Sequence, residues 1–211
     1  MSAQQVSIEK NTFYKVIWGL ANALTHTLMP TEWHGRENLP AEAPYVMIGN
    51  HNHALDPVFM CVAVKKHQVC FMAKKELAKN PVAKWFLIKL HCILVDRHNS
   101  DMEAMRNCTR ALREGHILGI FPEGTRHHEG QMEQIEAGTA LLTMRAKVPL
   151  VPVYFGQKVG FFRKNHCWIG APIPYEDLLQ DGINTETCEK LNERICETYR
   201  KMQSEHPFRK K

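Results

Sequence analysis

No apolar run in this 211-residue chain approaches the ~20 residues needed to span a bilayer. The longest stretch without a charged side chain, 16–31, holds sixteen residues and is broken by Asn22, Thr25, His26 and Thr27, so no transmembrane anchor is expected. Met1-Ser2-Ala3-Gln4-Gln5 is polar and leads no basic region into a hydrophobic one, so no secretory leader is expected either. Serine is scarce: the four residues are at 2, 7, 100 and 204, and no GxSxG elbow exists, which excludes a serine acyl-enzyme of that type. The seven cysteines are odd in number, include no CxxC pair and mostly sit inside apolar runs. They read as reduced, buried thiols of a cytosolic protein, and none lies in a loop where a histidine and a helix N-terminus would activate it. Charge of one sign is also meagre, since 27 Lys+Arg against 22 Asp+Glu leave +5. That falls well short of a nucleic-acid binder's basic stripe, so no nucleic-acid partner is expected.

What is present is the composition of an ordinary globular domain, with 44% hydrophobic and 23% charged residues and no repeat or linker. Phe13, Val16, Ile17, Leu20, Leu24 and Leu28 mark an amphipathic N-terminal helix that Pro30 ends. Short apolar runs at 45–48, 69–72, 93–95, 117–121, 150–155 and 167–169 predict buried strands. Helical patterns lie between them at 57–66, 81–90, 101–114 and 135–147, the third opened by a Ser100/Glu103 capping box. A last helix over 185–204 puts Cys188, Leu191, Ile195, Tyr199 and Met202 on one face, which is expected to pack on the core. The alternation predicts an α/β fold: a mainly parallel mixed sheet flanked by helices.

Ligands of open α/β sheets bind beyond the carboxyl ends of the strands, and two such junctions stand out. In the first, Asn50-His51-Asn52-His53-Ala54-Leu55-Asp56-Pro57, the proline suits a first helical turn and places Asp56 at the N-cap. A loop folded back on itself would bring the His51 imidazole to the Asp56 carboxylate and leave the other ring nitrogen able to take a proton from a hydroxyl. A helix cap beside a loop histidine fits the same residues. His51, His53 and Asp56 are also metal-ligand types, with His127 and His128 elsewhere, but they complete no recognisable zinc motif, and no metal is expected. In the second junction, Phe121-Pro122-Glu123-Gly124-Thr125-Arg126, a glycine, a hydroxyl and a guanidinium suit a phosphate, and equally a turn with a solvated arginine.

Taken together, the blocks resemble the glycerolipid acyltransferase family. Its HxxxxD motif is His51 to Asp56, and Phe71-Met72-Ala73-Lys74-Lys75-Glu76-Leu77 with Val95-Asp96-Arg97 looks like its second block. Phe121 to Arg126 is the third block and Val148-Pro149-Leu150-Val151-Pro152-Val153 the fourth, all in family order. The similarity runs from about residue 32 to 174. It implies transfer of a fatty acyl group from a thioester, on coenzyme A or acyl carrier protein, to the hydroxyl of a lysophospholipid such as 1-acylglycerol 3-phosphate. No cofactor beyond that acyl donor is implied. His51 would be the general base and Asp56 its orienting partner. Lys74, Arg97 and Arg126 would hold the acceptor phosphate in a pocket shaped by Glu123, Gly124 and Thr125. The resemblance divides the chain into an N-terminal amphipathic helical segment, 1–31, and an acyltransferase domain, 32–211. Departures from the usual pattern are His53 for Ser, His91 for Gly and Glu136 for Lys.

Amphiphilic substrates imply work at a bilayer surface, as a peripheral protein on the cytoplasmic face of the membrane. Two segments are candidates for that contact. One is the N-terminal stripe with Trp18, and the other is Pro81 to Leu90, whose Trp85 and Phe86 lie between Lys84 and Lys89. Helices packed on the sheet fit both segments as well. The charge excess has an address: residues 65–97 hold eight basic side chains against Glu76 and Asp96, a net +6, and the rest of the chain carries −1. A local bias of that sign suits anionic lipid.

Overall fold

In the computed structural model, Asn11 accepts the amide N–H of Tyr14 at its side chain and so starts α1, Thr12–Thr27. The structure describes residues 11–95, 102–124, 132, 135–136 and 138–209. After α1 come β1 (Thr31–His34), β2 (Val46–Gly49), α2 (Asp56–Ala63) and β3 (Val69–Lys74). The chain continues through α3 (Pro81–Lys89), β4 (Ile93–Val95), α4 (Met102–Arg113), β5 (Ile117–Ile120) and α5 (Gly138–Ala146). It ends with β6 (Leu150–Phe155), β7 (Asn165–Ile169) and α6 (Thr185–Glu205).

The seven strands form one sheet in the order β1-β7-β6-β2-β5-β3-β4. Every neighbouring pair is parallel except β6 and β7. The mixed, mainly parallel sheet expected from the alternation is therefore present. Both faces are covered, as parallel sheets require. Val46 and Ile48 of β2 face one way, into a core with Leu112 of α4, Leu142 and Met144 of α5 and Leu191, Ile195 and Tyr199 of α6. Met47 faces the other way, with Phe59 and Met60 of α2 and Met29 after α1. Near-continuous apolar runs mark β2, β5 and β6 in the sequence because neither face of these strands meets water.

The differences from the sequence reading have local causes. Strand β1, Thr-Glu-Trp-His, leaves no strand signal in the sequence because it is a half-buried edge strand paired only with β7, and three of its four side chains are polar. Helix α5 begins at Gly138 rather than 135, and just before it the Glu136 N–H donates to the Pro122 carbonyl at 2.9 Å. The Ser100 half of the expected capping box lies outside the described residues; a capping box is instead found at α6, between Asn184 and Thr187. Among the described residues the cysteines form no disulfide, and five of the seven are buried.

Candidate active site

Strands β2 and β5 are neighbours whose outgoing connections leave over opposite faces of the sheet and cross past each other. The path from β2 passes through α2 to β3 on one side, and the path from β5 passes through α5 to β6 on the other. Their helices pack on opposite sheet faces, so a crevice opens between the two carboxyl ends. Residues 50–55 leave β2 into that crevice and residues 121–124 leave β5 into it.

The β2 exit loop is held by amides. Asn50, fully buried, accepts the Phe155 N–H at 2.8 Å and donates to the Phe155 carbonyl at 3.0 Å, pairing with the end of β6 as a strand residue would. Asn52 donates to the same carbonyl at 3.0 Å. The loop then turns back. One carboxylate oxygen of Asp56, Oδ2, accepts the backbone N–H groups of Asn52 and His53, each at 2.7 Å, and faces His51 Nδ1 at 3.0 Å. Asp56 is fully buried, whereas the His51 side chain keeps 17% exposure.

This geometry corrects one expectation. Asp56 is the first residue of α2, with Leu55 at the N-cap and no side-chain cap there. The carboxylate does not satisfy the helix's own N–H groups; it bonds backward to the loop that carries His51. Because a carboxylate only accepts, the contact at Nδ1 fixes the tautomer with Nδ1 protonated and the lone pair on Nε2. The imidazole lies against Phe121, with ring centroids 4.3 Å apart, and Phe121 stacks on Phe71 at 6.2 Å. Gly119 makes room for that column: a Cβ there would stand 2.3 Å from the Phe71 ring.

Glu123 comes from the β5 exit, and its Oε1 accepts the His51 backbone N–H at 3.2 Å. Burial pushes its carboxyl up to about 7; the His51 N–H acts in the opposite direction, and the nearby Asp56 charge adds to the rise. Gly124 follows with φ +66°, a left-handed turn that glycine adopts without strain. Lys74 ends β3, exposed, on the same carboxyl edge as His51 and Glu123. Arg97, Thr125 and Arg126 lie outside the described residues.

His51, His53 and Asp56 do not converge as metal ligands. Asp56 holds His51 Nδ1, and His53 Nδ1 accepts the Leu55 N–H at 3.2 Å. Of the residues expected at a membrane, Trp18 turns inward: its indole N–H donates to the Cys61 and Val64 carbonyls at the end of α2. Val16 and Leu20 are exposed on α1 in its place. Trp85 and Phe86 are 52% and 38% exposed, with Phe13 of α1 set edge-on against both rings. The sequence reading missed Asn50 and Asn52 as supports of the site. Their signal was present, since two amides beside a strand end in a buried loop need partners.

A family model described as Acyltransferase matches residues 30–156, more than half of the chain. The chain is 34% identical over 178 residues to the 1-acyl-sn-glycerol-3-phosphate acyltransferase of Bacillus subtilis strain 168, covering 80% of this chain and 88% of that protein. It is 28% identical over 201 residues to the protein of the same name from Streptococcus pneumoniae, covering 92% and 74%. The crystal structure of the 1-acyl-sn-glycerophosphate (LPA) acyltransferase PlsC from Thermotoga maritima has a similar fold, with a TM-score of 0.67 over 90% of this chain and 79% of that one at 21% identity.

Proposed function

The chain belongs to the acyltransferase family, and from that premise we propose that it transfers a fatty acyl group from a coenzyme A or acyl carrier protein thioester to the free hydroxyl of 1-acylglycerol 3-phosphate (lysophosphatidic acid), giving phosphatidic acid. The observation that carries this reading is the buried Asp56 carboxylate holding His51 Nδ1 at 3.0 Å in a part-exposed crevice. His51 Nε2 takes the hydroxyl proton as the oxygen attacks the thioester carbonyl. The tetrahedral intermediate collapses with cleavage of the C–S bond, and the thiolate leaves with the proton returned from His51. No enzyme-bound acyl intermediate and no cofactor are needed, and asparagine-held backbone around the loop keeps the base from moving during the transfer.

The acceptor phosphate is assigned to Lys74 with Arg97 and Arg126, each charge-assisted bond contributing about 1.5–3 kcal/mol. The acceptor reaches this pocket from the cytoplasmic face of a membrane on which the protein sits peripherally. Support for that attachment comes from exposed Val82, Trp85 and Ile88 on α3 beside Lys84 and Lys89, and from Val16 and Leu20 on α1. No helix among the described residues is long and apolar enough to cross a membrane.

An acyl-transfer assay with lysophosphatidic acid and each donor type tests the proposal. The wild type should form phosphatidic acid with at least one donor, and His51→Ala should lower kcat by roughly 10²- to 10⁴-fold. Full rate in His51→Ala would remove the general base, and no product with either donor would remove the acceptor assignment.

A further inference from the structure

Three ligand-type side chains meet at the other end of the sheet. Met72 of β3 is opposite Ile93 of β4, and His91 sits in the turn two residues before that strand. Val69 and Cys70 are opposite Ile117 and Leu118 of β5, which makes His116 the diagonal neighbour of Cys70 on the same sheet face. The ligand atoms of Cys70, His91 and His116 all lie within 4.8 Å of one another. Cys70 and His116 are buried, and His91 closes the group from the solvent side.

Two further observations point to an occupant. Nδ1 of His116, a residue only 5% exposed, has no hydrogen-bond partner. A buried imidazole nitrogen left in that condition costs free energy unless something satisfies it. His91 adopts φ +55°, a left-handed conformation that a β-carbon disfavours, in the turn that presents its ring. The turn is tied down on both sides, with Gln68 donating to the Leu90 carbonyl and Asn11 to the Lys89 carbonyl.

We propose that Cys70, His91 and His116 bind one zinc ion, with the fourth tetrahedral position taken by water. One thiolate and two imidazoles are a ligand set suited to this borderline-soft ion. Tetrahedral geometry at ordinary Zn–S and Zn–N lengths sets the donors roughly 3.3–3.6 Å apart. Donors already within 4.8 Å reach that spacing by rotating side chains, most easily the exposed His91. On binding, the Cys70 thiol proton passes to solvent and the sulfur bonds the metal. The site lies at the amino ends of β3, β4 and β5, across the sheet from His51. Zinc there stands apart from the acyl-transfer site and pins the turn after α3, and with it the exposed apolar helix, to the sheet. The second histidine group, Glu32, His34 and His166, lacks these features, being exposed or half-buried with Glu32 bonded to Lys164.

The test uses Co²⁺ as a spectroscopic probe on the full chain stripped of metal by a chelator. The wild type should bind one Co²⁺ with a thiolate-to-cobalt charge-transfer band and a tetrahedral visible spectrum, both lost on adding one equivalent of Zn²⁺. Its Tm should rise with Zn²⁺. His91→Gly relieves the positive φ at an exposed position and so should fold; it should show neither band nor Tm rise while its acyl-transfer rate stays at the wild-type value. Cys70→Ala should also lack the charge-transfer band. Absence of the band in the wild type, or its persistence in either variant, would overturn the site.

Discussion

Oδ2 of Asp56 takes two backbone N–H groups and the His51 ring nitrogen, so the same atom that orients the base also shapes the loop that carries it. That economy explains why the pair was legible in the sequence: all of its donors lie within five residues of Asp56. Glu123 was legible as part of a motif but not as a contact, because its bond to the His51 N–H joins residues 72 apart. The Asn50 bonds to Phe155 span 105 residues and were not legible at all. Glu123 also gives a pH prediction. Its folded-state value, about 7, exceeds the ordinary 4.5, so the native state binds this proton more tightly than the unfolded chain does. Its contribution to stability is present below about 4.5 and is lost as pH rises through about 7. Glu123→Gln keeps an oxygen for the His51 N–H but removes that loss. The Tm of the variant should overtake that of the wild type progressively across this window; a constant Tm difference from acid to alkaline pH would refute the assignment.

At the scale of elements, α6 shows how a distant helix supports the site. Its Tyr199 hydroxyl, fully buried, is 2.7 Å from the Ile48 carbonyl of β2 and 3.1 Å from the Val153 carbonyl of β6, clamping the two strands that flank the catalytic loop. Tyr199→Phe should cost about 1–2 kcal/mol, the worth of one or two neutral hydrogen bonds. Urea unfolding measures it, and an unchanged midpoint would show that the hydroxyl is idle. The apolar face of this helix could be read from its 3.6-residue period, as could its packing on the core. The hydroxyl's partners could not, since a tyrosine on such a face has the same pattern whether or not its oxygen is satisfied. β1 illustrates the opposite case: three polar side chains in a four-residue edge strand leave no periodic signal, and only β7 makes it a strand.

For the whole molecule, the stretch that carries the positive excess also exposes Leu77, Val82, Trp85, Phe86 and Ile88. Val82 and Ile88 of α3 are 72% and 52% exposed, between Lys79, Lys84 and Lys89. The amide of Phe162, itself exposed next to Phe161, donates to the Leu28 carbonyl just after α1, so two more exposed aromatic side chains lie near that helix's far end. Val82→Glu/Ile88→Glu leaves the Phe13 contacts to Trp85 and Phe86 in place, so it tests the surface without touching that packing. In sedimentation with vesicles containing anionic phospholipid, the variant's bound fraction should fall several-fold, and wild-type binding should weaken as salt screens the lysines. Equal binding of the two proteins would reject α3 as the contact.

The sequence by itself determined the layer architecture, because strands buried on both faces must be apolar throughout while flanking helices need only a stripe. It also determined the His51–Asp56 pair, because that contact closes within one loop. The tertiary structure decided everything that needed separate strands to become neighbours. It set Glu123 against the His51 backbone and bound Asn50 to the end of β6. It turned Trp18 inward, and it brought Cys70, His91 and His116 together from three strand beginnings. Local spacing carries no record of strand order: Glu123 meets His51 because β5 lies beside β2, Asn50 meets Phe155 because β6 lies on its other side, and the Cys70 group forms because β3 lies between β5 and β4.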